Sequence, residues 1–142
     1  MLKIIVGMFL ANGGAMSENF YFKEWMNAWN SYDVEELLSF YHEDVFYRDP
    51  VISRGLKGKE TFRTYLEKFL TETPGWVWEF QQYYKTKDDR YFVKWKATVH
   101  IEGRLVVEEG LDIIEFYDQR IILHEMYFDK SKIITHEVRI NP

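Results

Sequence analysis

The stretch from residue 91 to residue 128 leaves few choices of fold. Val93, Trp95, Ala97, Val99 and Ile101 alternate with Lys94, Lys96, Thr98 and His100. Successive side chains of a strand point to opposite faces, so a period of two marks a half-buried antiparallel strand. Glu102-Gly103 turns the chain into a second run, Leu105 to Phe116. Tyr117 to Gln119 turns it again into a third, Arg120 to Phe128, and Trp76 to Tyr84 reads as a fourth long strand ahead of them. A sheet of this kind must cover one face, and the first half of the chain supplies the cover.

Phe22, Trp25, Met26 and Trp29 fall at i, i+3, i+4 and i+7, which places four large apolar groups on one face of a helix ended by Asn30-Ser31-Tyr32. Asp33 caps a second helix, with Glu36 at capping-box spacing and Leu37, Leu38 and Tyr41 facing inward. A short strand, Val45 to Arg48, runs into Asp49-Pro50, where proline forces the preceding residue into an extended conformation. Gly55 to Gly58 reads as a loop. A third helix then shows Phe62, Tyr65, Leu66, Phe69 and Leu70 on one stripe and stops at Pro74-Gly75. Three helices followed by hairpin-linked strands is an α+β order rather than βαβ. The expected architecture is three N-terminal helices packed on a strongly curved mixed or antiparallel sheet, a cone-shaped α+β barrel with a central pocket. One domain spans residues 17–130, between an N-terminal extension (1–16) and a C-terminal tail (131–142).

The alternation also predicts two unlike sheet faces. Asp112, Ile114 and Phe116 share one face with Ile122, His124, Met126 and Phe128. The other face carries Ile113, Glu115, Ile121, Leu123 and Tyr127. That second face is too apolar to be solvated, so a partner is expected there, most simply a second copy in a homodimer.

Composition narrows the function classes. Eleven Phe, ten Tyr and five Trp are enough to fill a core and line a cavity as well. A net charge of −5 argues against nucleic acid, whose phosphates require a basic face. There is no polybasic run for an anionic membrane surface, and no cysteine for disulfide or thiolate chemistry. Lys3, the apolar run Ile4 to Ala11, and Asn12-Gly13-Gly14-Ala15 outline a short signal peptide. The plainer reading is an upstream start codon with Met16 as the natural first residue. The first reading implies export, the second a cytoplasmic protein. The run is too short to span a bilayer.

Three residues are candidates for chemistry. Asp49 ends its strand beside a proline and shares a face with Tyr47 and Val45, so a carboxylate turned into the cavity is a candidate proton acceptor for a carbon acid or a water. Its plainer role is a turn residue. Asp112 lies mid-strand among apolar neighbours, where it must be hydrogen-bonded or neutral, as a structural residue held by a nearby indole or tyrosine or as part of a site. His124 shares that face and is either a general acid or base or a satisfied core imidazole. Glu108 has the inward parity, but Glu108-Glu109 reads more easily as a solvated strand end. No pair of histidines has metal-ligand spacing, and no phosphate loop, nucleophile elbow or Ser-His-Asp set is present, so no metal and no cofactor are expected.

The segment Trp25 to Asp33, the segment Phe40 to Pro50, Gly103-Arg104 with Asp112 and Phe116, and the ending Tyr127-Phe128-Asp129 resemble the SnoaL-like group of the nuclear transport factor 2-like superfamily. That group is similar to the ketosteroid isomerases and to some polyketide cyclases. The resemblance covers about residues 20–130 and implies the fold, while the superfamily hosts many activities on one scaffold. It implies Asp49 as the base that shuttles a proton beside a substrate carbonyl, and Asp112 as an acid that helps polarise it. Trp25 stands where the isomerases have a tyrosine, and an indole can donate one hydrogen bond but accept none. Tyr65 or Tyr47 could supply the missing hydroxyl. The limonene-type epoxide hydrolases share the fold, but Met126 occupies one of their acid positions. The expected function is therefore a cofactor-independent isomerase, cyclase or dehydratase acting on an apolar carbonyl compound, with catalytic Asp49, Asp112 and His124. A carrier of an apolar ligand is the alternative. The pocket wall is expected from Trp25, Trp29, Tyr47, Phe62, Tyr65, Phe69, Trp95, Val99, Ile114, Met126 and Phe128.

Overall fold

Helix α1 (Ala15–Ser31) ends where Tyr32 adopts a left-handed φ of 58°, a conformation that terminates a helix as glycine usually does. The Tyr32 hydroxyl compensates by donating toward the Thr73 and Trp76 carbonyls, tying the end of α1 to the chain after the third helix. The structure, a computed structural model, describes residues 15–129. The expected extension up to residue 14 and the tail at 131–142 lie outside these residues, while Ala15 and Met16 belong to α1.

Helix α2 (Val34–Leu38) is capped by the Asp33 carboxylate, which accepts from the Glu35 and Glu36 amides. The helix is shorter than its apolar spacing implies. Tyr41, read from sequence as its third inward residue, instead opens strand β1 (Tyr41–Arg48), which therefore begins four residues before Val45. The cause is pairing: Tyr41 lies opposite Ile121, and Ile121 donates its amide to the Phe40 carbonyl. The Gly55–Gly58 loop contains a further short strand, β2 (Leu56–Lys57), too brief to show a period. Helix α3 (Lys59–Glu72) buries Phe62, Leu66 and Leu70 and holds Tyr65 and Phe69 half-buried.

Strands β3 (Val77–Lys85), β4 (Tyr91–Ile101), β5 (Arg104–Tyr117) and β6 (Arg120–Phe128) complete a six-stranded sheet of order β2-β1-β6-β5-β4-β3. All neighbours are antiparallel except β1 and β6, which run parallel. The three helices pack on a curved, unclosed sheet, the cone expected from the sequence. One parity differs from the alternation. The β5–β6 register shifts between Glu115 and Phe116, so Phe116 pairs with Ile121 and Ile121 turns into the core with no exposure. A bulge adds one residue to one strand and flips the parity beyond it. Ile121 thus leaves the outer face, while Ile113, Leu123 and Tyr127 remain on it.

Candidate functional site: two acid centres and an aromatic cavity

Asp49 follows directly on β1 and turns the chain with its own side chain. Oδ1 accepts from the amides of Val51 and Ile52 at 2.8 and 2.9 Å. Oδ2 accepts from the hydroxyls of Tyr47 and Tyr65, both at 2.6 Å. Four donors occupy the acceptor sites of one carboxylate, and the residue is 3% exposed. Burial, followed by the charge of Asp49, pushes the Tyr47 phenol well above the ordinary range, and burial with the bond to Asp49 does the same to Tyr65, so both remain donors. Tyr47 comes from β1 and Tyr65 from α3, which makes the cluster a clamp between strand and helix.

Asp112 is the centre of a second network. Trp95 Nε1 donates to Oδ1 at 2.8 Å, and His124 Nε2 lies 2.9 Å from Oδ2. The other imidazole nitrogen, Nδ1, lies 2.9 Å from the Tyr41 hydroxyl, which itself accepts from Trp25 Nε1 at 3.1 Å. The direction of the chain follows from its donors. An indole can only donate, so the Tyr41 oxygen accepts from Trp25 and its own proton goes to Nδ1. The imidazole proton is then on Nε2, facing Asp112. Burial above all raises the Tyr41 phenol well above its ordinary range and keeps that proton in place. Trp25 of α1 thus reaches His124 through the Tyr41 phenol of β1. Tyr47 and Tyr65 direct their hydroxyls to Asp49 instead.

Trp95 reaches Asp112 only because its β5 neighbour is glycine. A Cβ on Gly110 would lie 2.0 Å from Trp95 Cζ2, so the indole lies flat across the strand at that point. Glu108, Gly110 and Asp112 are alternate residues of β5, and all three turn toward the helices. Glu108 is 3% exposed, which corrects its reading as a solvated strand end. The parity was visible in the sequence; the adjacent Glu109 obscured it.

A cavity of about 40 Å³ lies beside Trp95 and Glu108. Of the residues expected to form a pocket wall, Phe69, Trp95, Met126 and Phe128 line it, joined by Trp76 and Trp78, which sequence reasoning missed. Phe69, Trp76 and Phe128 are half-buried and form an aromatic rim. The other expected wall residues lie elsewhere. Trp25, Trp29, Tyr47, Phe62 and Ile114 close the core between Asp49 and His124, with Tyr47 edge-on to the imidazole at 5.0 Å and stacked on Phe62 at 4.5 Å. Tyr65 borders an outer groove with Ile52 and Leu56, and Val99 is buried on β4 away from the lining. Asp49, Asp112 and His124 also lie outside the lining, though Trp95 links Asp112 to it. Among the described residues no group of three His, Asp or Glu is placed to hold a metal ion, and no helix is long and apolar enough to cross a membrane.

The model of the SnoaL-like domain matches residues 22–124. The chain belongs to the SnoaL-like family. Among curated proteins, none matches its sequence. Solved structures share the SnoaL-like architecture at low identity. A nuclear transport factor 2-like protein of unknown function from Exiguobacterium sp. 255-15 is 12% identical with a TM-score of 0.64, over 75% of this chain and 95% of its own. A putative isomerase from Bacillus subtilis is 15% identical with a TM-score of 0.65, over 78% and 84%. TerC, co-crystallised with polyporic acid, is 19% identical with a TM-score of 0.64, over 80% and 90%. At such identities the likeness concerns the fold, which agrees with the SnoaL-like cone seen here.

Proposed function

We propose that this SnoaL-like chain takes an apolar, carbonyl-containing small molecule at the aromatic end of the cone. There it moves a proton on that molecule without a cofactor, in the manner of an isomerase, cyclase or dehydratase. The observation that carries this reading is Glu108: a carboxylate 3% exposed in a wall shared with Phe69, Trp76, Trp78, Trp95, Met126 and Phe128, with Thr73 and Ala97 completing it. An acid in such a wall can take or give a proton at a carbon beside a carbonyl. Behind Trp95, the Asp112–His124 pair fixes the indole and supplies oriented charge next to the reacting group. Asp49, with four donors on it, acts as the fastening between β1 and α3 rather than as the base. A fold relative co-crystallised with polyporic acid and another described as a putative isomerase are in keeping with this reading.

The test is exchange of α-protons of an aromatic methyl ketone in deuterated water. The wild type should catalyse it, and Glu108→Gln should lose about 100-fold or more of the rate, whereas Asp49→Asn should lose activity only in step with its loss of fold. Full exchange by Glu108→Gln would remove Glu108 from the chemistry.

A non-catalytic carrier is the second reading, favoured by the closed networks around Asp49 and His124. Saturable binding of the ketone with no exchange in the wild type selects it. We also propose that the outer sheet face pairs with a second copy, through Phe92, Leu111, Ile113 and Leu123 and the exposed Tyr84 and Tyr127. Sedimentation of the wild type as a monomer at micromolar concentration would refute that pairing.

A further inference from the structure

The hairpin joining β5 to β6 is built against its own backbone preference. Asp118 and Gln119 both hold positive φ, 50° and 66°, as the two residues between the paired Tyr117 and Arg120. That geometry favours Asn-Gly or Asp-Gly. The preceding hairpin obeys the rule, with Gly103 at φ 76° after Glu102 at 51°. At the second turn a glutamine stands where glycine is favoured, and such strain persists only where the surroundings retain it.

This strained turn forms one wall of a cleft of about 520 Å³ that shares no lining residue with the aromatic cavity. Opposite it are His42, Glu43 and Lys59, with Arg120 at the base of the turn. Arg120 and Lys59 are half-buried, and among the described residues the side chain of neither makes a hydrogen bond or ion pair. A guanidinium partly withdrawn from water is ordinarily paired, because its fork of donors matches an oxyanion. His42 Nδ1 accepts from the Asp44 amide at 2.9 Å, which leaves Nε2 as the donor of that ring. Glu43 and Asp118, both exposed in the same lining, oppose a highly charged anion.

We infer that this cleft is a second ligand site, for the oxyanion group of a small molecule. Arg120 is its bidentate partner, Lys59 the second charge, and the Gln119 amide and the His42 N–H are further donors. Gln119 is kept at a strained position because glycine would remove one of these donors.

The test titrates the full chain separately with sodium acetate and with inorganic phosphate at constant ionic strength, read by backbone amide NMR. One of the two should shift residues 42–43, 59 and 118–120 saturably, and the one that does identifies the group as carboxylate or phosphate. Arg120→Gln should weaken that binding about tenfold or more. Gln119→Gly should raise the melting temperature yet weaken binding, a pairing of effects that a purely structural turn would not give. Should Arg120→Gln fail to fold, Lys59→Gln carries the same expectation. No saturable shift with either anion, or shifts unaltered by the cation variants, would overturn the proposal.

Discussion

Asp49 and Glu108 are buried to the same extent, 3% exposed each, yet only Glu108 of the two borders the aromatic cavity. Asp49 is enclosed by two phenols and two amides. Glu108 stands in the wall of an aromatic cavity beside Trp95. Glu18 sits near the start of α1 and repeats the first arrangement: its carboxylate accepts from Tyr83 at 2.8 Å and Tyr91 at 2.6 Å, with Lys85 at 3.5 Å. A carboxylate between two tyrosines thus recurs at two joints between a helix and a strand. The comparison teaches that burial alone does not mark a reactive acid. Whether a cavity reaches it decides the role.

The largest effect expected from this contrast is on stability. Asp49→Ala strands one buried and one half-buried hydroxyl and two amides without their acceptor and should cost about 3–5 kcal/mol, measured by urea denaturation. A loss below about 1 kcal/mol would mean that the clamp does not fasten α3 to β1. Next in size is Gly110→Ala, whose methyl collides with the Trp95 ring. It should cost about 1–3 kcal/mol and change the near-UV circular dichroism of the indoles as Trp95 leaves Asp112. Glu108→Gln, in contrast, keeps shape and should change stability by about 1 kcal/mol or less while removing the proposed proton transfer.

The smallest effect lies in alkaline solution. Burial first, and then the bond to Glu18, push the Tyr83 phenol up to about 12. The folded state therefore holds that proton more tightly than the unfolded chain does. The resulting stabilisation is complete below the ordinary tyrosine value of 10.0 and fades as pH rises toward about 12. Tyr83→Phe should flatten the fall in stability across that window, checked by denaturation at a series of pH values. An unchanged slope would show that Tyr83 is not part of a clamp.

Most of the fold was legible because β4, β5 and β6 alternate cleanly and because Phe22, Trp25, Met26 and Trp29 repeat at helical spacing. Legibility failed where pairing overrode period. Tyr41 was drawn out of a helical spacing by its partner Ile121, and a single bulge reversed the parity of Ile121 itself. β2, with two residues, has no period to read. The site was legible only in its parts. The spacing located Asp49, Asp112 and His124 as inward polar residues. It did not reveal that Tyr65 crosses from α3 to occupy Asp49, nor that Gly110 lets Trp95 lie across β5. Side-chain reach, unlike parity, depends on rotamers and on neighbours distant in sequence.

The most direct test of the claim that chemistry belongs to the aromatic end uses the five tryptophans as reporters. Their indole N–H resonances can be followed by NMR during titration with an aromatic methyl ketone. Trp76, Trp78 and Trp95, which line the cavity, should shift together and saturate, while Trp25, enclosed near His124, should stay in place. Shifts confined to Trp25 would return the site to the Asp49 side of the core and contradict the account.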